Sequence, residues 1–221
     1  MSTANPPSPG GGTKGTVLWA ILVTGLASFM AGLDNLVIIT ALPTIKDELG
    51  GSLSDLEWTV NAYTLSFAVL MMFGAALGDR FGRRRVFGLG LLLFTAASAA
   101  AALAPGVGEL IAARAVQGAG AAIIMPLSVT LLTVAVPPEK RGSALGIWGA
   151  INGLSIAAGP LVGGAVVEHL SWQWIFWLNV PIGLALAPLA FRKLGESRIT
   201  DSRLDAVGTV LSGVGLFGIV L

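Results

Sequence analysis

Cysteine is absent from the 221 residues, which excludes a disulfide scaffold, a thiolate zinc site and a cysteine nucleophile together. Histidine occurs once, at His169, so a histidine-based metal cluster is excluded as well. Charge is scarce: only 11% of residues are Asp, Glu, Lys or Arg, and thirteen basic against twelve acidic side chains leave a net charge of +1. No basic surface remains for nucleic acid. The thirty glycines keep no every-third-residue period, which excludes collagen, and abundant glycine suits closely packed membrane helices. What the chain has in excess is apolar side chains, 54% of the total, for a mean hydropathy of +0.82. This is the composition of an all-α membrane protein.

A helix needs roughly 20 apolar residues to cross a hydrocarbon core of about 30 Å. Six such runs are predicted, at about Thr16 to Leu42, Trp58 to Gly78, Val86 to Ala104, Leu110 to Val136, Ala144 to Val167 and Trp172 to Phe191. A seventh begins after Asp205 and has only 16 residues before Leu221, an unfinished span. All six tryptophans fall near span ends, where an indole can bury its ring and keep its N–H wet.

Loop charge predicts orientation, since Lys and Arg are retained on the cytoplasmic side. Lys14, Arg80, Arg83, Arg84, Arg85, Lys140, Arg141, Arg192, Lys193, Arg198 and Arg203 fall on one side; Lys46 alone falls on the other, among Asp47, Glu48, Asp55, Glu57, Glu109 and Glu168. The N-terminus is therefore expected in the cytoplasm and the protein in the plasma (inner) membrane as a multi-pass chain. Residues 1–15 lack an apolar h-region and a cleavage site, so they read as a disordered cytoplasmic tail, not a signal peptide. Residues 16–191 then form the six-helix bundle, 192–205 a cytoplasmic loop and 206–221 an incomplete seventh helix.

Two ionisable residues fall within spans, Asp34 and Arg114, each costing about 2.5 to 3.5 kcal/mol at a helix centre. Their depths from the same side, roughly 12 Å and 6 Å, permit direct or water-mediated pairing. The bland alternative is that Arg114 snorkels to the interface and Asp34 hydrogen-bonds a neighbouring helix. The functional alternative is a proton carrier: desolvation favours the neutral form of a buried carboxylate, a nearby guanidinium favours the charged form, and a change in their pairing loads or releases a proton. Gln117 lies one turn beyond Arg114 on the same face, and Asn61, Tyr63 and Asn152 add polar groups at membrane depth that also serve as ordinary interhelical hydrogen bonds.

Glycine marks two further stretches. In GAALGDRFGRRR, Gly74, Gly78 and Gly82 would let spans two and three approach around an eight-residue connection, while Arg80, Arg83, Arg84 and Arg85 anchor it; a bare anchor leaves Asp79 unexplained. In GAINGLSIAAGPLVGG, Gly149, Gly153, Gly159, Gly163 and Gly164 would pack as a smooth face around Pro160, which removes one helix hydrogen bond and permits a bend.

Those two stretches, with LDNLVIITALP at Leu33 to Pro43 and RAVQGAGAA at Arg114 to Ala122, resemble the motifs of the major facilitator superfamily, and within it the fourteen-helix drug:proton antiporters. WQWIFWLNVPIG at Trp172 to Gly183 and RLDAVGTVL at Arg203 to Leu211 resemble that branch's sixth and seventh segments. The resemblance implies the six-helix N-terminal bundle of such a fold plus a partial seventh helix, with the C-terminal half missing from the chain. It implies a transporter and not an enzyme, exporting lipophilic or cationic small molecules by alternating access in exchange for protons. Asp34 would be the coupling or cationic-substrate site, modulated by Arg114 and Gln117. Asp79 and Arg83, within the motif of Gly74, Gly78, Arg80 and Gly82, would form a cytoplasmic gating latch, and Gly149 to Gly164 would form the antiporter helix. No P-loop, dinucleotide fingerprint or metal-ligand cluster is present, so no cofactor is expected. Two alternatives stay open: an exporter of a metabolite such as an amino acid or siderophore, and a non-transporting fragment. A seven-helix receptor needs an external N-terminus, against the loop charges.

Overall fold

The computed structural model of the chain describes residues 14–197. Expectations for the first thirteen residues, for Arg198 and Arg203 and for the seventh span lie outside the described residues. Among the described residues seven α-helices follow one another: α1 (Lys14–Leu49), α2 (Leu53–Phe81), α3 (Arg83–Ala102), α4 (Val107–Ala135), α5 (Arg141–His169), α6 (Trp174–Trp177) and α7 (Asn179–Lys193). No strand occurs among the described residues. With α6 and α7 taken as one span of 20 residues, six helices among the described residues are long and apolar enough to cross a membrane. In hydrocarbon only structures that satisfy every backbone group internally can do so.

Local chemistry accounts for the boundaries. Ser52 and Asp55 form a reciprocal capping box at the start of α2, the Asp55 backbone N–H donating to Ser52 Oγ at 3.2 Å and the Ser52 N–H to Asp55 Oδ2 at 2.8 Å. α1 extends well past its predicted end, running through Pro43 to Leu49, and its first turn takes in residues 14 and 15, placed by the sequence in the tail. The connection between α2 and α3 is not eight residues but one. Gly82 sits at φ 103°, a conformation side chains with a Cβ rarely adopt, and helix resumes at once. The sixth span is interrupted at Leu178, whose φ −57° and ψ −33° are nonetheless helical. Pro181, lacking an N–H, cannot donate back to Trp177, and one ladder bond is lost there.

Packing does not follow chain order. α4 lies against both α2 and α3, α1 against α5, and α3 against α7. Gly74 and Gly78 accordingly admit α4, not α3: a Cβ on Gly74 would fall 2.6 Å from the Ala122 carbonyl oxygen, and one on Gly78 would strike Leu127. In α5 the five glycines do not form one packed face. Gly159 and Gly163 meet Leu36, Val37 and Thr40 of α1, whereas Gly149, Gly153 and Gly164 have nothing within 4 Å. Two apolar clusters fill the bundle, one around Phe87, Phe94 and Leu127, the other around Ile38, Leu110 and Trp172. Trp172 itself is fully buried, and its N–H goes to Glu48 Oε2 at 2.9 Å, not to interfacial water as predicted.

Candidate functional site

The ionisable residues of the spans meet at the centre of the bundle. Arg114 on α4 is 0% exposed and Asp34 on α1 is 2% exposed, and Arg114 Nη1 donates to Asp34 Oδ2 at 2.5 Å. Arg114 therefore does not snorkel. Its guanidinium also donates from Nε to the Thr59 carbonyl at 3.1 Å and from Nη1 to Gln117 Oε1 at 2.7 Å. The Tyr63 ring centroid lies 4.3 Å from its central carbon, close enough for a cation–π contact. Nη2 has no hydrogen-bond partner.

Gln117 faces the same centre because it follows Arg114 by one turn. Its amide donates to Asp34 Oδ1 at 2.8 Å and to Ser98 Oγ at 2.7 Å. A further donor comes from α7: Asn179 Nδ2 reaches Asp34 Oδ1 at 2.6 Å. The carboxylate thus accepts from three side chains on two other helices, and Ser98 on α3 closes the network. Asn179 and Ser98 were not singled out from the sequence. The only signal for Asn179 was its place as the one amide between Trp174 and Phe191, and Ser98 sits unremarkably among alanines.

Of the other polar residues, the Tyr63 hydroxyl donates to the Ala31 carbonyl at 3.0 Å. Asn152 donates to Trp148 on its own helix at 2.8 Å, and Asn61 is exposed. A cavity of about 90 Å³ adjoins the network through Tyr63, lined also by Gly32, Asn35, Phe67 and Met125. The buried Asn35 Oδ1 there has no hydrogen-bond partner.

The arginine-rich end carries a second constellation. Arg83 Nε and Nη2 both lie 2.7 Å from Asp79 Oδ1, one turn back across Gly82. Arg80 stacks instead on Phe81, 5.3 Å from its ring centroid. Residues after α7 return to cover this turn: Arg83 N–H donates to the Ser197 carbonyl at 3.0 Å and Arg84 N–H to Glu196 Oε1 at 3.1 Å, capping α3. Glu196 also pairs with Arg84 and Arg85, at 3.5 and 3.8 Å. Among the described residues no group of His, Cys, Asp and Glu is arranged to hold a metal.

Comparison with known proteins agrees with this architecture. A family model, the Major Facilitator Superfamily, matches residues 24–220. The chain is 43% identical over 205 residues to the cephamycin export protein CmcT of Amycolatopsis lactamdurans, covering 91% of this chain and 42% of that protein. It is 36% identical over 220 residues to the multidrug export protein EmrB of Haemophilus influenzae, covering 98% and 42%. The chain spans about two fifths of the length of the curated relatives it matches. Among solved structures, a peptide transporter superposes with a TM-score of 0.71 at 18% identity, over 92% of this chain and 44% of that one. That likeness is one of fold.

Proposed function

The chain belongs to the major facilitator superfamily, and from that premise we propose that it acts as the N-terminal half of a proton-coupled drug exporter of the fourteen-helix branch. It would export lipophilic or cationic molecules across the plasma (inner) membrane by alternating access, with its N-terminus in the cytoplasm and a C-terminal half completing the transport path. The names of its relatives, export proteins for cephamycin and for multiple drugs, support the export of drugs as the activity.

The observation that carries the reading is the buried Asp34–Arg114 pair. As found, one guanidinium and two amides compensate one carboxylate. Adding a proton to Asp34 would strand a buried guanidinium, at a cost of about 3–5 kcal/mol. Protonation therefore favours a conformation in which Arg114 is hydrated or re-paired, and a proton taken up on one side can be released on the other after that rearrangement. Coupling follows from this linkage between charge and conformation. Asp79 and Arg83 would gate from the cytoplasmic end, and the open glycines of α5 would meet the other half.

In vesicles holding the full-length protein, an imposed proton gradient should drive accumulation of a lipophilic cation such as ethidium. Asp34→Asn should abolish that accumulation while sparing energy-independent exchange of the cation. Gradient-driven flux at the unsubstituted rate would overturn the assignment.

A further inference from the structure

A cavity of about 630 Å³ opens at the acidic end of the bundle, between the ends of α1 and α3 and the start of α6. Glu48, on its wall, lies fourteen residues beyond Asp34 on α1, roughly 21 Å away at 1.5 Å per residue. The carboxylate of the cavity is therefore distant from Asp34, although the apolar wall at Val180 and Pro181 adjoins Asn179 of the central network.

The Glu48 carboxylate is held from behind. Trp172 donates to Oε2 at 2.9 Å, and Trp172 is immobilised by full burial and by edge-on packing against Phe176 at 6.1 Å. No Lys or Arg pairs with Glu48 among the described residues. Gln173 lines the same cavity, and its enclosed Oε1 has no hydrogen-bond partner. Trp174 and Trp177 supply indole faces, and Ala102, Val180 and Pro181 an apolar wall.

We infer that this cavity binds the primary ammonium group of an amphiphile. An ammonium supplies one positive charge and three donors, which match an unpaired carboxylate and two electron-rich indoles. A neutral or anionic head group would leave Glu48 uncompensated. The same end of the bundle carries Asp47, Asp55, Glu57, Glu109 and Glu168 against Lys46, an excess of negative charge that raises the local concentration of cations. Two sources share the chemistry: the head group of an aminophospholipid in the leaflet at this end, and a soluble alkylamine whose chain lies on the apolar wall. The inference is independent of the transport reading, because it concerns binding without a gradient.

The test titrates the full-length protein, in phosphatidylcholine nanodiscs, with 11-bromoundecylamine, whose bromine quenches nearby indoles; 11-bromoundecanol is the uncharged control. The amine should quench saturably and the alcohol should not. Glu48→Gln, which keeps an oxygen for the Trp172 N–H, should weaken the amine's affinity about tenfold, the loss of roughly one charge-assisted hydrogen bond. Should that variant fail to fold, Trp177→Leu, which leaves the Glu48–Trp172 contact intact, is read the same way. Exchanging half the lipid for phosphatidylethanolamine separates the sources: a weakened affinity identifies the head group as occupant, an unchanged one the soluble amine. Equal quenching by amine and alcohol, or an unchanged amine affinity in the folded variant, overturns the inference.

Discussion

At the scale of single residues, the centre of the bundle is a problem in charge compensation. Arg114 spends Nε and Nη1 on three acceptors, and Asp34 accepts from three side chains, so each is stabilised by the same contacts that bind it to the other. Removing one partner of a buried pair costs more than removing both, since it leaves an unsatisfied charge. Asp34→Asn should therefore lower stability by about 3–5 kcal/mol, and Asp34→Asn with Arg114→Gln should recover a large part of it. Thermal unfolding in detergent measures this. A double variant no more stable than Asp34→Asn would mean the two residues do not depend on each other. Proton-driven transport should be lost in both variants alike. Asn179→Leu removes one donor from the carboxylate and should cost about 1–3 kcal/mol by the same measurement. An unchanged unfolding midpoint would make its contact incidental. Asp34, Arg114 and Gln117 were legible in the sequence because charge and a helical repeat stand out against an apolar run. Asn179 and Ser98 were not, since a lone amide or hydroxyl costs little in a helix and its partner depends on which helix lies opposite.

At the scale of helices, span number and composition were readable, because about 20 apolar residues can do little else but cross a membrane. Which helix touches which was not. Sequence neighbours α2 and α3 were expected to share the glycines of their connection, yet Gly74 and Gly78 accommodate α4. A glycine stripe announces close approach without naming the partner. The α1–α5 contact shows the same from both sides: beyond Gly159 and Gly163, it uses Gly25 and Gly32 of α1, against Ile151 and Ser155. The split of the α5 glycines gives opposite expectations for the same substitution. Gly163→Leu must displace Thr40 and the Val37 carbonyl, and overpacking of this kind costs about 1–3 kcal/mol. Gly149→Leu meets nothing within 4 Å and should leave the unfolding midpoint of the bundle unchanged. Under the proposed alternating access, in which two bundles rock against each other, it should nonetheless slow transport in the full-length protein, because a bulky side chain obstructs the approach. Full transport by Gly149→Leu would move the sliding face elsewhere.

At the scale of the molecule, α2 and α5 are the least buried spans, and α5 carries exposed glycines at Gly142, Gly146, Gly149, Gly153 and Gly164, so its outer side offers a smooth surface to a further set of helices. The axis along the helices, from one end of the bundle to the other, is set by charge. One end holds Arg83, Arg84 and Arg85, tied by caps and ion pairs to Asp79 and Glu196, together with Lys140 and Arg141; the other holds Asp55, Glu57, Glu109 and Glu168 against Lys46. Moving the basic end across a membrane would mean desolvating several guanidinium groups, so the bundle should sit with that end in the cytoplasm. The absence of cysteine makes the orientation directly measurable. Glu57, Glu168 and Lys140 are exposed and make no ion pair among the described residues, so replacing each with cysteine disturbs little. In intact cells a membrane-impermeant maleimide should label Glu57→Cys and Glu168→Cys and spare Lys140→Cys; after permeabilisation all three should react. Labelling of Lys140→Cys in intact cells, with the other two protected, would invert the molecule and place the Asp79–Arg83 turn outside, where it could not gate from the cytoplasm.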